Sequence, residues 1–445
     1  MDIFSRKDKL HAINCVVNMF SVRERKFISF LHHNRKSFAI RCMPIWLLSE
    51  GEKSSPPLYL RSMKSKLPNV GTTIFTTMSA LAAQEGALNL GQGFPGFPID
   101  EKLIDLVTKA MKDGFNQYAP MPGMPVLRQI IADQLNAKHG CNYDWNSEVN
   151  ITAGASQAIF TAISTLIFPG DEVILFAPAY DCYAPAVELN GGKVIWIELE
   201  GEDFHIPWEK VKAAINNRTK LMLINTPHNP TGAVNSLDDA HKLLEVVRDT
   251  NIFIISDEVY EHIVFDGRRH ESLAQFPELR ERMMLVYSFG KTFHATGWKL
   301  GYAVCDAKRM VEFRKQHQFN VFTCNAPFQI AIAEYMKTVD YSEISRMYER
   351  KRNLFVEALS GSAWKILPCA GTYFQVLDYS AISDESDFDF AVRLNKEAKV
   401  TSIPLSPFYE KGNNEKRLRF CFAKEDHELL EAARRLISFS KRNHS

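Results

Sequence analysis

The chain has 445 residues, with 53 basic and 52 acidic side chains and a formal charge of +1. A balance this close to neutral exerts no global pull toward nucleic acid or an anionic membrane surface, so the expected partner is a small molecule. The length exceeds what one small core accommodates and the 46% hydrophobic content is that of a globular protein, which together predict two lobes sharing an interface.

The cysteines (Cys15, Cys42, Cys141, Cys182, Cys305, Cys324, Cys369 and Cys421) are scattered, with no C-x-x-C pair and no histidine cluster at zinc spacing. Neither a disulfide framework nor a metal site is expected, and reduced thiols in a cytosol-like compartment fit best. No apolar run reaches the roughly 18 residues that a membrane-spanning helix needs, so no transmembrane segment is expected.

Residues 1–62 differ from the rest. Up to Leu48 they carry nine Lys or Arg (Arg6, Lys7, Lys9, Arg23, Arg25, Lys26, Arg35, Lys36, Arg41) against three acids. A basic, acid-poor segment of this kind can be an organelle transit peptide, but its serine content is modest and it lacks a signal-peptide apolar stretch. A small nucleic-acid-binding appendage would need a recognisable motif, and no helix-turn-helix pattern is present. The reading adopted is a dispensable extension, or an upstream start, ahead of a domain that begins near Met63.

From Glu148 onward, short apolar runs rich in β-branched residues alternate with helical patterns, which predicts a mostly parallel sheet covered by helices. Strands are expected at Val149–Thr152, Val173–Phe176, Val194–Ile197, Leu221–Ile224, Ile252–Ile255 and Met284–Tyr287, and helices at Gln157–Leu166, Leu237–Arg248 and Arg309–Gln318. After about residue 335 a long helical stretch, then Thr372–Leu377, a polar loop and the strand-like Leu418–Phe422 predict a second, α+β lobe.

Four features follow expected strands, where an open α/β sheet places its ligand. Gly154-Ala155-Ser156-Gln157 opens a helix with small residues whose backbone N–H groups suit a phosphate, although a tight connection alone would look the same. Asn225-Thr226-Pro227-His228-Asn229-Pro230-Thr231-Gly232 reads otherwise as a Pro/Gly turn. Asp257-Glu258-Val259-Tyr260 puts a carboxylate at a strand end and a phenol three residues on. In Ser288-Phe289-Gly290-Lys291-Thr292-Phe293-His294-Ala295-Thr296-Gly297-Trp298-Lys299, two lysines eight apart sit among Ser, Thr and Gly. They offer one amine for covalent chemistry and a second cation for a phosphate.

These segments carry a resemblance. Together with Ser65-Lys66-Leu67-Pro68, Gly71-Thr72-Thr73-Ile74-Phe75, Gln92-Gly93-Phe94-Pro95, Asn116-Gln117-Tyr118 and Arg419-Phe420-Cys421-Phe422, they make the chain resemble a class I aminotransferase of fold type I over roughly residues 65–440. The likeness is to the methionine and kynurenine aminotransferase branch, bacterial methionine aminotransferases above all. Two departures occur: Gly96 stands where relatives often carry Asp, and Lys299 where many carry Arg, which would make its phosphate contact a point charge instead of a bidentate fork.

The resemblance implies pyridoxal 5'-phosphate, held as a Schiff base on Lys291, with Lys291 also moving the proton from Cα. It implies that Asp257 pairs with the pyridine nitrogen, that Tyr260 and Asn229 hydrogen-bond the phenolic oxygen, and that Tyr180 stacks on the ring. Ala155, Ser156, Gln157, Ser288 and Lys299 are implied for the phosphate. On the substrate side it implies Arg419 for the α-carboxylate, with Gly93, Asn229 and Phe75 nearby. Tyr118 and Phe322 would enter from the other subunit of a homodimer.

The expectation is therefore a fold type I enzyme with an arm at 63–108, a large cofactor-binding domain at 109–334 and a small domain at 335–445. It would transfer the amino group of methionine, an aromatic amino acid or kynurenine to a 2-oxo acid. Two rivals remain. A cysteine-S-conjugate β-lyase would use the same Lys291, Asp257 and Tyr260, and a non-catalytic regulator would sense the cofactor and touch DNA through its basic extension.

Overall fold

The computed structural model describes residues 64–412 and 415–443, and from Ser65 onward they form one compact unit. The readings made for residues 1–62 lie outside the described residues.

Among the described residues thirteen strands build three sheets. They are β1 (Leu88–Asn89), β2 (Val149–Thr152), β3 (Glu172–Ala177), β4 (Lys193–Glu198), β5 (Thr219–Asn225), β6 (Phe253–Asp257), β7 (Met283–Ser288), β8 (Gly301–Cys305), β9 (Lys365–Ile366), β10 (Phe374–Asp378), β11 (Val400–Thr401), β12 (Ile403–Pro404) and β13 (Arg417–Cys421). The large sheet runs β2-β8-β7-β6-β5-β3-β4. Its expected strands are all present within one or two residues at each end; β8 was not anticipated.

Both faces of this sheet are covered. Val173 and Leu175 of β3, with Leu221 and Leu223 of β5, pack against Ala158, Ile159, Ala162 and Ile163 of helix Ala155–Leu166. Their neighbours Ile174, Phe176, Met222 and Ile224 point the other way, into the main core. Successive strand side chains alternate between faces, so a strand buried on both sides reads as an unbroken apolar run, which is why these strands were legible. Helix starts are equally local in origin. Helix Leu237–Val247 begins with a capping box in which the Ser236 and Asp239 side chains satisfy each other's backbone N–H.

The direction of β8 decides what the sheet presents. It runs antiparallel to both neighbours, β2 and β7, while β3 to β7 run parallel to one another. All the other strands therefore end on one edge of the sheet, and β8 begins there. Gly301, the first residue of β8, pairs with Thr152 and with Ser288. A side chain at 301 would stand 2.5 Å from the Tyr287 carbonyl oxygen, so only glycine permits this closeness.

The smaller antiparallel sheet is β12-β13-β10-β9. Helices Tyr341–Ala358 and Asp387–Ala398 pack against the last helix, Asp426–Asn443. The N-terminal segment joins this part: β1 pairs in parallel with β11, and the Cys421 N–H donates to the Leu90 carbonyl at 2.7 Å. That bond lays Gly91–Phe94 beside β13.

Candidate active site

Four strand ends and one strand start converge on a cavity of about 130 Å³. Asp257 is the last residue of β6, Ser288 the last of β7, Asn225 the last of β5, and Tyr180 follows β3, while Lys299 precedes β8. All line the cavity, together with Ala155, Ser156, Asn229, Tyr260 and Lys291. The reversed β8 is what returns Lys299 to the edge where the other strands finish.

At one end Gly154 caps helix Ala155–Leu166 with φ 78°, and no side chain caps the helix's first N–H groups. Those groups and the helix dipole favour an anion. Lys299, itself left-handed at φ 50°, reaches the same point, since a Cβ at 154 would lie 3.4 Å from its Nζ. The glycine thus leaves a cradle between a helix N-terminus and an ammonium, which fits a phosphate.

At the other end stands Asp257. Its carboxylate accepts from the Tyr183 hydroxyl at 2.5 Å and from the Val259 N–H at 3.3 Å. Burial pushes its pKa up to about 6, against the pull of the Tyr183 hydrogen bond. A buried acid with so few donors is suited to a cationic partner in the cavity. The backbone around it is tied to the neighbouring loop: Asn225 donates from its side-chain amide to the Asp257 carbonyl at 2.9 Å and accepts from the Asn229 N–H at 2.9 Å.

Lys291 lies on the short helix Phe289–Thr292 that follows β7. Burial lowers its pKa to about 8, so the neutral amine is far more populated near neutrality than on an ordinary lysine, roughly a tenth at pH 7. The amine donates to the Tyr373 hydroxyl at 2.8 Å and to the Gly93 carbonyl at 3.3 Å. Burial pushes the Tyr260 phenol well up, so it stays protonated and can donate.

Arg419 lies mid-strand in β13 and is 1% exposed. Its Nη1 donates to the Asn229 side-chain oxygen at 2.7 Å and its Nη2 to the Gly91 carbonyl at 3.1 Å. Its Nε is buried with no partner, an orphan donor that a carboxylate would satisfy. Phe374 at 4.0 Å, Phe75 at 5.1 Å and Phe408 at 5.5 Å surround the guanidinium. Gly93 fits here because a Cβ would press on the Phe374 ring at 3.1 Å and approach Arg419.

Not every residue singled out from sequence reaches this cavity. The Gln157 side chain is turned away: its oxygen accepts from the Ala153 N–H at 3.0 Å and its amide donates to Thr161 at 2.6 Å. Tyr118 and Phe322 pair edge-to-face at 5.4 Å and are 83% and 45% exposed, outside the cavity wall. Sequence reading missed Tyr183, Tyr373 and Phe408. The only local signals were the second tyrosine in Ala179-Tyr180-Asp181-Cys182-Tyr183 and the glycine before Thr372-Tyr373-Phe374.

A largely parallel sheet with one reversed strand, and a lysine and a carboxylate brought together at its edge, place the protein among the fold type I pyridoxal-phosphate transferases. Comparison with known proteins narrows this. Residues 85–437 match the family described as aminotransferase class I and II, and the chain belongs to it as a pyridoxal-phosphate-dependent aminotransferase. It is 45% identical over 375 residues to the methionine aminotransferase of Escherichia coli, covering 84% of this chain and 97% of that one. The kynurenine–oxoglutarate transaminase 3 of Rattus norvegicus is 31% identical over 420 residues, covering 87% and 92%. An Escherichia coli crystal structure reported to identify a methionine aminotransferase function superposes with a TM-score of 0.83 at 45% identity, covering 84% of this chain and 99% of that one. Among the described residues no helix is long and apolar enough to cross a membrane.

Proposed function

We propose that this enzyme moves the amino group of methionine, an aromatic amino acid or kynurenine to a 2-oxo acid, with Lys291 as the lysine that carries the cofactor. The observation that carries the reading is the placement of Lys291 and Asp257 on one cavity, with Lys299 at the helix start that Gly154 leaves open and Arg419 bonded to Asn229 of the same cavity. When bound, the cofactor supplies the electron sink for the charge left on Cα.

The chain's own residues do the rest. Asp257 meets the pyridine nitrogen and holds a proton there. Asn229 and Tyr260 hydrogen-bond the phenolic oxygen, and Tyr180 covers a ring face. Ala155, Ser156, Gln157 through its backbone, Ser288 and Lys299 hold the phosphate. Lys291, neutral once released, takes the proton from Cα and gives it back on the far side of the exchange. Arg419 takes the α-carboxylate, with Gly93 leaving room and Asn229 shared between substrate and cofactor.

Specificity follows from the surroundings of Arg419. Apart from the Asn229 amide that it bonds, its guanidinium is surrounded by the rings of Phe374, Phe75 and Phe408, and Phe75 and Phe408 stand 5.8 Å apart edge-to-face. Burying a methionine or phenylalanine side chain against such a wall contributes about 1.5 to 3 kcal/mol. An aspartate side chain placed against these rings would lose its hydration to apolar surface.

We further propose a cytoplasmic homodimer, with Tyr118 and Phe322 completing the partner's site. The exposure of this aromatic pair supports that reading, and the six described cysteines, all free, fit the compartment. We also propose the division into an arm at 63–108, a large domain at 109–334 and a small domain at 335–445. The large sheet lies wholly within the second range and the four-stranded sheet within the third, which supports it.

Steady-state kinetics over a panel of donors tests the substrate reading. The expected kcat/KM for methionine, phenylalanine or kynurenine exceeds that for aspartate by at least about tenfold, the ratio that about 1.4 kcal/mol gives. Arg419→Ala lowers all donors together, and Phe322→Ala lowers the bulky apolar ones selectively. Aspartate as the best donor would overturn the pocket assignment.

A further inference from the structure

Tyr373 is a fourth phenol at the site, after Tyr180, Tyr183 and Tyr260, fully buried and assigned no part so far. Its hydroxyl stands in a closed triangle. Lys291 Nζ donates to it at 2.8 Å, it donates in turn to the Gly93 carbonyl at 2.8 Å, and Nζ reaches the same carbonyl at 3.3 Å. The amine therefore faces two acceptors that are already oriented toward each other.

Both the ring and the backbone of Tyr373 are fixed. The ring packs edge-on against Tyr260 with centroids 5.2 Å apart and against Phe374 at 4.8 Å, and it tilts over Tyr348 at 5.6 Å. Thr372 before it is left-handed at φ 66°, donates its N–H to the Ile263 carbonyl at 2.9 Å, and accepts from the Phe374 N–H at 3.1 Å. Gly371 lies so close to the same segment that a Cβ there would be 2.8 Å from the Ile263 carbonyl. A hydroxyl held on all sides in this way is a fixed reference point for a flexible lysine.

We propose that Tyr373 is a positioning residue: its hydroxyl, with the Gly93 carbonyl, forms the station that holds the Lys291 amine whenever that amine is not bonded to the cofactor. The inference rests on the reading of Lys291 as the cofactor lysine. At this station the amine's hydrogens are spent on Tyr373 and Gly93. Lys291 collects the proton that leaves Cα and releases it again, while Tyr373 keeps its own throughout. Without the station the amine samples other rotamers, and only a fraction of encounters has it in place.

The test is Tyr373→Phe in the full chain, which keeps every ring contact and removes one oxygen. In the apoenzyme, competitive acetylation of Lys291 across pH, read by mass spectrometry, reports the amine directly. Losing an acceptor disfavours the ammonium, so the labelling profile should shift down by about half a pH unit or more. In the holoenzyme kcat should fall about tenfold with a larger isotope effect for Cα-deuterated methionine and little change in KM. An unshifted or upward-shifted labelling profile would overturn the station, whatever the turnover. Lys291→Ala run in parallel separates the two ideas, because full turnover in that variant would remove the reading of Lys291 itself and leave the Tyr373 result meaningless for catalysis.

Discussion

The Tyr183 hydroxyl donates a 2.5 Å hydrogen bond to the Asp257 carboxylate, so the acid that faces the cavity is held by a cavity-lining residue 74 positions away. Burial raises the Asp257 pKa to about 6, and this bond opposes the rise. Tyr183→Phe should therefore disfavour the carboxylate that holds the proton on the pyridine nitrogen, making the pH–rate profile of the holoenzyme more sensitive to acid. A hydrogen bond to a charged group contributes about 1.5 to 3 kcal/mol, so kcat near neutrality should fall about tenfold with cofactor retained. A pH–rate profile identical to that of the parent would remove Tyr183 from the account.

Lys299 reaches the cradle that Gly154 leaves at the helix start. One charge-assisted contact to phosphate contributes about 1.5 to 3 kcal/mol, so Lys299→Ala should bind the cofactor roughly ten- to hundredfold more weakly. Chemistry on the fully loaded variant should change much less. Dialysis followed by measurement of residual holoenzyme checks this, and retention equal to the parent's would place the phosphate elsewhere.

What was legible in the sequence, and what was not, divides along physical lines. β3, β5, β6 and β7 were readable because they are buried on both faces, and each ends in a polar residue or turn that marks the site edge. β8 was not, because Gly301-Tyr302-Ala303-Val304-Cys305 follows the lysine loop directly and opens with a glycine, so no turn signal marks where a strand begins. Its reversal, which brings Lys299 back to the site, is a property of pairing that no local pattern carries. Tyr183 and Tyr373 were missed for the same kind of reason. The chain has 14 tyrosines, and what distinguishes these two is an oxygen within hydrogen-bond reach of Asp257 or Lys291, set by packing of distant segments.

Acid stability offers an independent check on the packing. Burial holds His139, His228, His294 and His317 down to about 4, from an ordinary value of 6.5. Between those values the unfolded chain binds more protons than the folded one, so stability is full above about pH 6.5 and falls as pH drops toward 4. Asp257 and Asp181, raised by burial instead of lowered, work the other way, but they are two groups against five, since burial holds His262 below its usual range as well. Urea denaturation of the holoenzyme at pH 7.5 and pH 5 should show a lower midpoint at pH 5. An equal or higher midpoint there would mean that these imidazoles are not buried as described.

The central claim is that the cofactor is carried by Lys291 and by no other lysine. Borohydride reduction of the holoenzyme fixes the cofactor to its lysine, and digestion with mass spectrometry locates the modified residue. The account predicts a pyridoxyl group on the peptide containing Lys291 alone. A pyridoxyl group on Lys299, or on a lysine outside the cavity, would contradict it.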